Sequence, residues 1–141
     1  MMGNVREEMT SAGYDATHER AYPREYVEGI AHFNAGRYYD AHEIWEEVWL
    51  RSADDAKLFY QMLIQAAVAL HHDERGNAHG ARALYERVCE KLRKLPPVFM
   101  SLDVSEFARQ FKAFFAELAE KGGESAPSGS EPLPQIQLLR W

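Results

Sequence analysis

Apolar side chains recur at helical spacing in five stretches of the chain. Positions three, four and seven residues apart share one face of an α-helix, so each stretch predicts an amphipathic helix. The first predicted helix begins at Pro23, because proline at the first helical position needs no N–H partner, and it ends at Gly36. In chain order, the apolar positions of the five predicted helices are Tyr26, Ile30 and Phe33; Ala41, Ile44, Trp45, Val48 and Trp49; Phe59 to Leu70; Ala81, Leu84, Tyr85, Val88, Leu92 and Leu95; and Phe107, Phe111, Phe114 and Leu118.

The third predicted helix is apolar almost all round, which is typical of a helix that is buried on every side. It begins at Ser52-Ala53-Asp54-Asp55, which resembles a capping box, and it continues to Gly76. We therefore expect it to be the buried centre of the protein. No segment shows strand-like alternation of useful length, so the pattern predicts an all-α fold.

The two ends of the chain lack this periodicity. Residues 1–22 are interpreted as an N-terminal arm and residues 23–121 as a single helical domain. Residues 122–141 are interpreted as a Gly/Ser/Pro-rich linker followed by an apolar C-terminal tail, LPQIQLLRW. Exposed to water, such a tail would be an aggregation liability, so we expect it to fold back on the helices.

The chain also contains an internal repeat: GRYYDAHEIWEEV from Gly36 aligns with GNAHGARALYERV from Gly76. The matched positions are Gly36 and Gly76, Ala41 and Ala81, Trp45 and Tyr85, Glu46 and Glu86, and Val48 and Val88. A turn glycine, then a small residue, then an aromatic residue resembles the tetratricopeptide helical hairpin, in which the small residue lets two helices approach closely. We therefore predict a five-helix bundle of two tetratricopeptide-like helical hairpins plus a closing C-terminal helix.

Composition narrows the setting of this bundle. The chain has 141 residues, 46% of them hydrophobic, which suffices for one domain with a core. Its longest apolar run, Ala66 to Leu70, is far shorter than the roughly 20 residues of a membrane span, and residues 1–13 lack the apolar core of a secretory signal. Cys89 is the only cysteine, so no internal disulfide can form and a cytoplasmic location is the simplest expectation. The net charge of −6 argues against nucleic-acid binding.

The stretch DAHEIWEEVW in the second predicted helix begins like the zinc hydrolase motif H-E-x-x-H. Its fifth position is Glu46 instead of a second histidine, and Glu43, the counterpart of the catalytic base, points away from the apolar face on a helical wheel. A di-iron carboxylate bundle would need Glu-x-x-His on two helices, and that spacing does not occur in the chain. We therefore predict no metal site, and we place His42 and Glu46 at the edge of the apolar face, one turn apart.

Gln61, Gln65 and His72 form a polar stripe on the otherwise apolar third predicted helix. An unpaired buried polar group costs about 1–3 kcal/mol, so the stripe is an internal network that fixes helix packing, a small-molecule or ion site, or an exposed face. The short loop after the second predicted helix makes it antiparallel to the third. We therefore expect His42 and Glu46 to meet Gln61 and Gln65, with His72 joining only through a water or ligand. These five residues are the candidate ligand-binding set.

Three stretches together resemble the domain of unknown function 309 family: FNAGRYYDAHEIWEEVW, QMLIQAAVALHH and RGNAHGA. The resemblance covers roughly residues 24–95. It implies a small, all-helical protein with no established activity. The family pattern maps onto His42, Glu43, Glu46, Trp49, Gln61, Gln65, His72, Gly76 and Asn77.

Two classes of function remain open. One is a module that binds a protein or a small ligand; the other is a hydrolase-like or other enzyme in which His42 is the general base and Glu46 orients it. The chain has no Ser-His-Asp pattern in a recognisable context, no phosphate-binding glycine loop and no dinucleotide fingerprint. We therefore favour the binding module. The sequence specifies no reaction, cofactor, partner identity or oligomeric state.

Overall fold

The structure, a computed structural model, describes residues 12–116, 118 and 132–140. The described residues form six helices and two short strands. Their bounds are α1 (Ala16–Ala21), α2 (Arg24–Asn34), α3 (Tyr38–Leu50), α4 (Asp54–Glu74), α5 (Ala78–Leu92), β1 (Val98–Phe99), β2 (Leu102–Asp103) and α6 (Val104–Phe114). The fold is mostly helical, and the five predicted helices correspond to α2 to α6.

The four central helices pack in chain order, α2 against α3, α3 against α4, and α4 against α5. Ten residues of α4 are buried, more than in any other described helix, which confirms that the third predicted helix is the most buried one. Ala66, Ala67 and Ala69 have no exposed surface. Their small side chains let the neighbouring helices approach α4 closely.

The turns after α2 and α4 share one geometry. Gly36 and Gly76 have φ of 81° and 77°, a region that glycine adopts without a steric penalty. In each turn, the N–H of the residue after the glycine donates to a carbonyl five residues earlier, which is the Schellman arrangement. These bonds join Arg37 to His32 at 2.9 Å and Asn77 to His72 at 2.8 Å. The sequence repeat is therefore a repeat of backbone structure at both turns.

Gly29 of α2 lies directly against Trp45 of α3. A Cβ at this position would overlap the indole ring of Trp45. The indole N–H of Trp45 donates to the Tyr26 carbonyl at 3.2 Å, and the tryptophan has no exposed surface. The ring and its hydrogen bond thus set the distance between the two helices.

Residues 98–103 correct the all-α prediction, because β1 and β2 form an antiparallel hairpin there. The paired residues are Val98 with Asp103 and Phe99 with Leu102. Met100 and Ser101, between the strands, have φ of 49° and 62°, as a two-residue hairpin turn requires. Strands of two residues are too short to show an alternating pattern, so hydrophobic periodicity could not detect them.

A short helix, α1, lies within the predicted N-terminal arm, residues 1–22. Asp15 Oδ1 accepts from the N–H groups of Thr17 at 2.9 Å and His18 at 3.3 Å, and His18 Nδ1 accepts from the Asp15 N–H at 3.0 Å. This reciprocal cap was the available sequence signal, because a helix of six residues is too short for apolar periodicity. Residues 1–11 of the arm lie outside the described residues.

The C-terminal tail folds back on the helices, as predicted. Ile136 and Leu138 are buried, and the segment contacts Gly13, α2, the β1–β2 turn and α6. Leu133 and Leu139 stay 48% and 42% exposed. Residues 122–131 of the predicted linker and the predicted domain end at residue 121 lie outside the described residues.

Candidate functional site

Three rings meet where the beginning of α3 lies against the end of α4. The ring centroid of Tyr39 is 5.2 Å from that of His42 and 5.7 Å from that of His71. Tyr39 is 53% exposed, whereas both histidines are half-buried. Contact between the start of one helix and the end of the next confirms that α3 and α4 are antiparallel. Tyr39, His42 and His71 are named the ring cluster below.

Each histidine of the ring cluster lies beside a glutamate of its own helix. His42 Nδ1 donates to the Tyr39 carbonyl at 3.1 Å, and His42 Nε2 is 3.4 Å from Glu46 Oε2. Both ring nitrogens thus face oxygen atoms of the protein itself. His71 Nδ1 is 3.4 Å from Glu74 Oε1. Both glutamate side chains are about half exposed, at 52% and 50%, so the two pairs contribute little stability.

His72 has a different environment from the ring cluster. Its Nδ1 accepts from Asn77 Nδ2 at 3.1 Å, an arrangement that suits the neutral ring. A Cβ on Gly80 would lie 3.1 Å from His72 Cδ2, so the glycine leaves room for the imidazole between α4 and α5. Burial lowers the pKa of His72, and the charges of His71 and Arg75 lower it further.

The predicted network between α3 and the glutamines is not formed. Within the described parts of the chain, His42 and Glu46 make no hydrogen bond to Gln61 or Gln65. The physical reason is local: a carbonyl three residues back and a carboxylate four residues on lie within reach of His42 on its own helix. Because these partners belong to α3 itself, His42 reaches them without the ordering of a side chain on a second helix.

Gln65 has an unsatisfied side-chain atom. Its Oε1 is buried and has no hydrogen-bond partner. Gln65 shares one half-buried strip of α4 with Gln61, Val68 and His72, because these positions are three or four residues apart. This strip is named the α4 face. The three residues of the predicted polar stripe, Gln61, Gln65 and His72, therefore share one half-buried strip of α4.

The α4 face continues toward the beginning of the helix through Lys57, one turn before Gln61. Lys57 Nζ lies 4.6 Å from the ring centroid of Trp49 on α3, a cation–π distance. Trp49 Nε1 is buried and has no hydrogen-bond partner. The junction of α3 with α4 thus holds a second unpaired buried polar atom.

Sequence reasoning missed two members of the ring cluster, Tyr39 and His71. Tyr39 stands three residues before His42, so it shares a helix face with the histidine, and this spacing was a usable signal. The sequence predicts His72 as the site residue, whereas the adjacent His71 is the histidine that contacts Tyr39. When a helix is apolar almost all round, its sequence does not show which side faces a given neighbour. The pattern therefore could not decide which of two adjacent histidines faces α3.

The described residues limit the chemistry of this surface. Among them, no group of three His, Cys, Asp or Glu side chains is placed to hold a metal ion. No helix in the described ranges is long and apolar enough to cross a membrane. Surface cavities of 120 to 190 Å³ lie elsewhere among the described residues, beside α1, α6, the tail and the loop after α5.

Comparison with known proteins confirms the family resemblance. Residues 26–84 match the family model described as Domain of unknown function (DUF309), and this range contains the ring cluster and the α4 face. The chain is similar to "Uncharacterized protein YpuF" of Bacillus subtilis (strain 168), with 40% identity over 65 residues, 45% of this chain and 37% of that relative. It is also similar to an "Uncharacterized protein" of Aquifex aeolicus (strain VF5), with 35% identity over 75 residues, 52% of this chain and 22% of that relative. The chain spans less than two fifths of the length of either relative, and neither name states an activity.

Proposed function

We propose that this chain, which carries a DUF309 domain, is a binding module that holds a protein segment on the α4 face beside the ring cluster. The observation that carries the proposal is Gln65 Oε1, a buried acceptor without a partner on α4. An unpaired buried polar atom costs about 1–3 kcal/mol. Gln65 as a whole is half-buried, so rotation of its side chain toward solvent brings this oxygen to a ligand N–H, and the new hydrogen bond recovers that energy on binding.

The helical frame supports a binding surface at this place. In this proposal, α2–α3 and α4–α5 are tetratricopeptide-like hairpins, each with a Schellman glycine and a fully buried alanine, Ala41 or Ala81, on its second helix. Stacked helical hairpins form an extended surface from successive helices, and repeat proteins use such surfaces to bind other proteins. Here the α4 face is that surface, with α3 and α5 on its two sides.

The ring cluster and the two glutamates beside it favour a ligand segment with a basic side chain. Tyr39 offers a ring that is 53% exposed, and Glu46 and Glu74 place carboxylates beyond the two histidines of the ring cluster. An exposed aromatic ring attracts a Lys or Arg side chain through its π face, and nearby carboxylates attract the same charge. The net charge of −6 acts in the same direction.

The alternative is a hydrolase-like enzyme with His42 and Glu46 as its acid–base pair. The pair is 3.4 Å apart, which is close enough to be coupled, but a general base must offer a free ring nitrogen to its substrate. Both nitrogens of His42 face oxygens of the protein itself. The second hairpin places Arg82 and Glu86 at the equivalent positions, 3.6 Å apart, and arginine stays protonated. This spacing is therefore better suited to an ion pair than to proton transfer.

The Gln65→Leu substitution separates a binding role from a structural one. Replacing an unpaired buried amide by an apolar side chain of similar size removes a desolvation penalty, so a binding role predicts an unchanged or higher stability, by up to about 1 kcal/mol. A structural role predicts a loss of about 1–3 kcal/mol. Urea unfolding measures the difference. Gln61→Leu is the matched control, because Gln61 stands one turn away on the same face.

Peptide selection against the full chain tests binding directly. Peptides selected from a displayed random library are labelled, and their affinity is measured by fluorescence anisotropy. We expect Gln65→Leu and Tyr39→Ala to weaken binding at least about tenfold, whereas Lys112→Ala, on the exposed side of α6, should leave it unchanged. Equal binding by the α4-face variants and the wild type would show that the recognition surface lies elsewhere.

A further inference from the structure

The C-terminal segment is held by contacts that proteins use to bind extended peptides. Asn34, at the end of α2, pairs with both sides of one residue of this segment. Its Nδ2 donates to the Ile136 carbonyl at 2.7 Å, and its Oδ1 accepts from the Ile136 N–H at 2.8 Å. A β-strand neighbour would satisfy the same two backbone groups. The contact therefore recognises the backbone and not the side chain of Ile136.

The backbone on either side of Ile136 is bound in the same way. The four contacts are the Gln135 N–H to Gln110 Oε1 at 2.9 Å, the Leu138 N–H to the Gly13 carbonyl at 2.8 Å, the Leu139 N–H to the Ser101 carbonyl at 2.7 Å, and His18 Nε2 to the Leu139 carbonyl at 2.8 Å. The donors and acceptors come from four separate parts of the fold: the α1 region, α2, the β1–β2 turn and α6. They form a groove, named the tail groove, that has several fixed positions for a backbone.

Side chains of the bound segment alternate between buried and exposed. Pro134, Ile136 and Leu138 are buried, and the residues between them are exposed. A period of two is the pattern of an extended chain with one face against a surface. Peptide-recognition domains that capture extended segments take affinity from backbone hydrogen bonds and specificity from sockets for alternate side chains. The tail groove has both features.

We propose that the tail groove is a binding site for extended protein segments and that residues 134–139 are its resident ligand. The outside partner is a protein segment with the same pattern: a proline, then aliphatic side chains two and four residues later, with the peptide groups between them free to hydrogen-bond. This surface is separate from the α4 face and stands independently of the function proposed there.

An outside partner must compete with the resident segment, which is covalently linked to the groove. The resident segment belongs to the same chain as the groove, and intramolecular ligands reach effective concentrations on the order of 1 mM. A partner occupies the tail groove only if it binds more tightly than the resident segment or is present at a comparable concentration. The C-terminal segment thus excludes weak ligands from the groove.

Displacement in the wild-type full chain is the first test. The probe is the synthetic peptide PLPQIQLLRW, residues 132–141, added to isotope-labelled protein at about 0.1 to 10 mM, a range that brackets the effective concentration. We expect the amides of Ile136, Leu138 and Leu139 to lose hydrogen-exchange protection as peptide is added, while the amides of α4 keep theirs. The same peptide carrying Ile136→Asp should have no effect. Unchanged protection of the three tail amides over the whole range would overturn the proposal.

An opened variant gives an independent reading. Ile136→Asp/Leu138→Asp in the full chain should free the groove, so the labelled probe peptide should bind it at least about tenfold more tightly than it binds the wild type. Adding Asn34→Ala to the opened variant should weaken binding of the probe peptide at least about tenfold, because both hydrogen bonds to the backbone of its isoleucine are lost. Leu133→Asp is the control, because Leu133 is 48% exposed, and it should behave like the wild type. If the opened variant has native helix content by circular dichroism and still does not bind the peptide, the proposal is contradicted. If the opened variant does not fold, the displacement experiment in the wild type is decisive.

Discussion

The two hairpins, α2–α3 and α4–α5, have the same turns but different packing partners. Gly29 and Trp45 in the first hairpin stand where Ala69 and Tyr85 stand in the second. The Trp45 indole covers Gly29, whereas Tyr85 stacks on Phe111 of α6, with centroids 5.7 Å apart and ring planes at 15°. The first aromatic residue closes its own hairpin, and the second joins its hairpin to the closing helix. Positions that shape the backbone are repeated, and positions that select a neighbour are not.

The polar positions next to the two turns diverge in the same way. Asn34 and Glu74 are equivalent, forty residues apart. Asn34 holds the C-terminal segment through Ile136, while Glu74 lies beside His71 of the ring cluster. One turn therefore faces a surface that the chain itself fills, and the other faces an exposed surface. This difference is why we assign a resident ligand to the first turn and an outside ligand to the second.

Gly29→Ala should have the largest effect on stability. The new methyl group overlaps the Trp45 indole, and forced overpacking of a core destabilises by about 3 kcal/mol. The double variant Gly29→Ala/Trp45→Tyr imports the residue pair of the second hairpin. We expect the loss in its free energy of unfolding to be smaller, by at least about 1 kcal/mol, than the sum of the losses of the two single variants. Urea unfolding measures all three.

Ala69→Gly is the control for that cycle. It removes a methyl group from the equivalent position in the second hairpin and should cost about 1 kcal/mol, chiefly through helix propensity. Strict additivity of the Gly29 and Trp45 substitutions would mean that the two residues do not set the distance between α2 and α3.

Gly36→Ala and Gly76→Ala test the shared part of the two hairpins. Both glycines have a positive φ, and a Cβ at either position would meet no atom within 4 Å. Only backbone strain remains, so each substitution should lower the free energy of unfolding by about 1 kcal/mol. The two losses should agree within about 0.5 kcal/mol, the usual scatter of surface substitutions. A clear inequality in urea unfolding would show that the turns are not equivalent.

The sequence predicted those parts of the fold that depend on long periodic stretches. Helices α2 to α6 have apolar faces of several turns, and the turn glycines repeat at a fixed distance, so both were predictable. The six-residue α1 and the two-residue strands β1 and β2 are too short to show a period. Docking of the tail was predictable from its apolar composition. Its partner Asn34 was not, because nothing local to Asn34 indicates a residue more than a hundred positions away.

The candidate site was predictable only in part. Helical spacing places Gln61, Gln65 and His72 on one half-buried strip of α4, and His42 lies where Tyr39 contacts both His42 and His71. Hydrogen bonds depend on which partner is nearest. For His42 this is its own helix, and Gln65 Oε1 has no hydrogen-bond partner. Competition between local and cross-helix partners is decided by fractions of an ångström, which a helical wheel does not contain.

Glu46→Gln and Glu86→Gln compare the two equivalent ion pairs. Glu46 and Glu86 are 52% and 64% exposed, and exposed pairs contribute about 0.5 kcal/mol or less. Both substitutions should therefore change stability by no more than that in urea unfolding. Binding should distinguish them: Glu46→Gln weakens a peptide selected for the α4 face, and Glu86→Gln does not. A loss of stability well above 1 kcal/mol for Glu46→Gln alone would instead indicate a buried structural network at the first pair.

His72→Gln should have the smallest effect, seen only as a change in pH dependence. His32 and His72 are equivalent, but the first accepts from the guanidinium of Arg37 and the second from the neutral amide of Asn77. Burial, followed by the charges of His71 and Arg75, lowers the pKa of His72 in the folded protein, so the unfolded chain binds a proton more readily. Above the ordinary histidine pKa of about 6.5, both states are neutral and folding carries no penalty. As the pH falls through that value toward the lowered pKa of the folded state, stability is lost.

Urea unfolding of the wild type and the variant between pH 7 and pH 5 measures this loss. The His72→Gln variant should lose less stability than the wild type over this range, because its glutamine does not titrate while its side-chain oxygen can still accept from Asn77. Gln65→Leu is the control, since it changes the same α4 face but keeps His72, and it should follow the wild-type pH profile. If His72→Gln and the wild type lose stability in parallel, the lowered pKa of His72 does not contribute to the pH dependence of stability. The second turn then differs from the first only in the group that donates to its histidine.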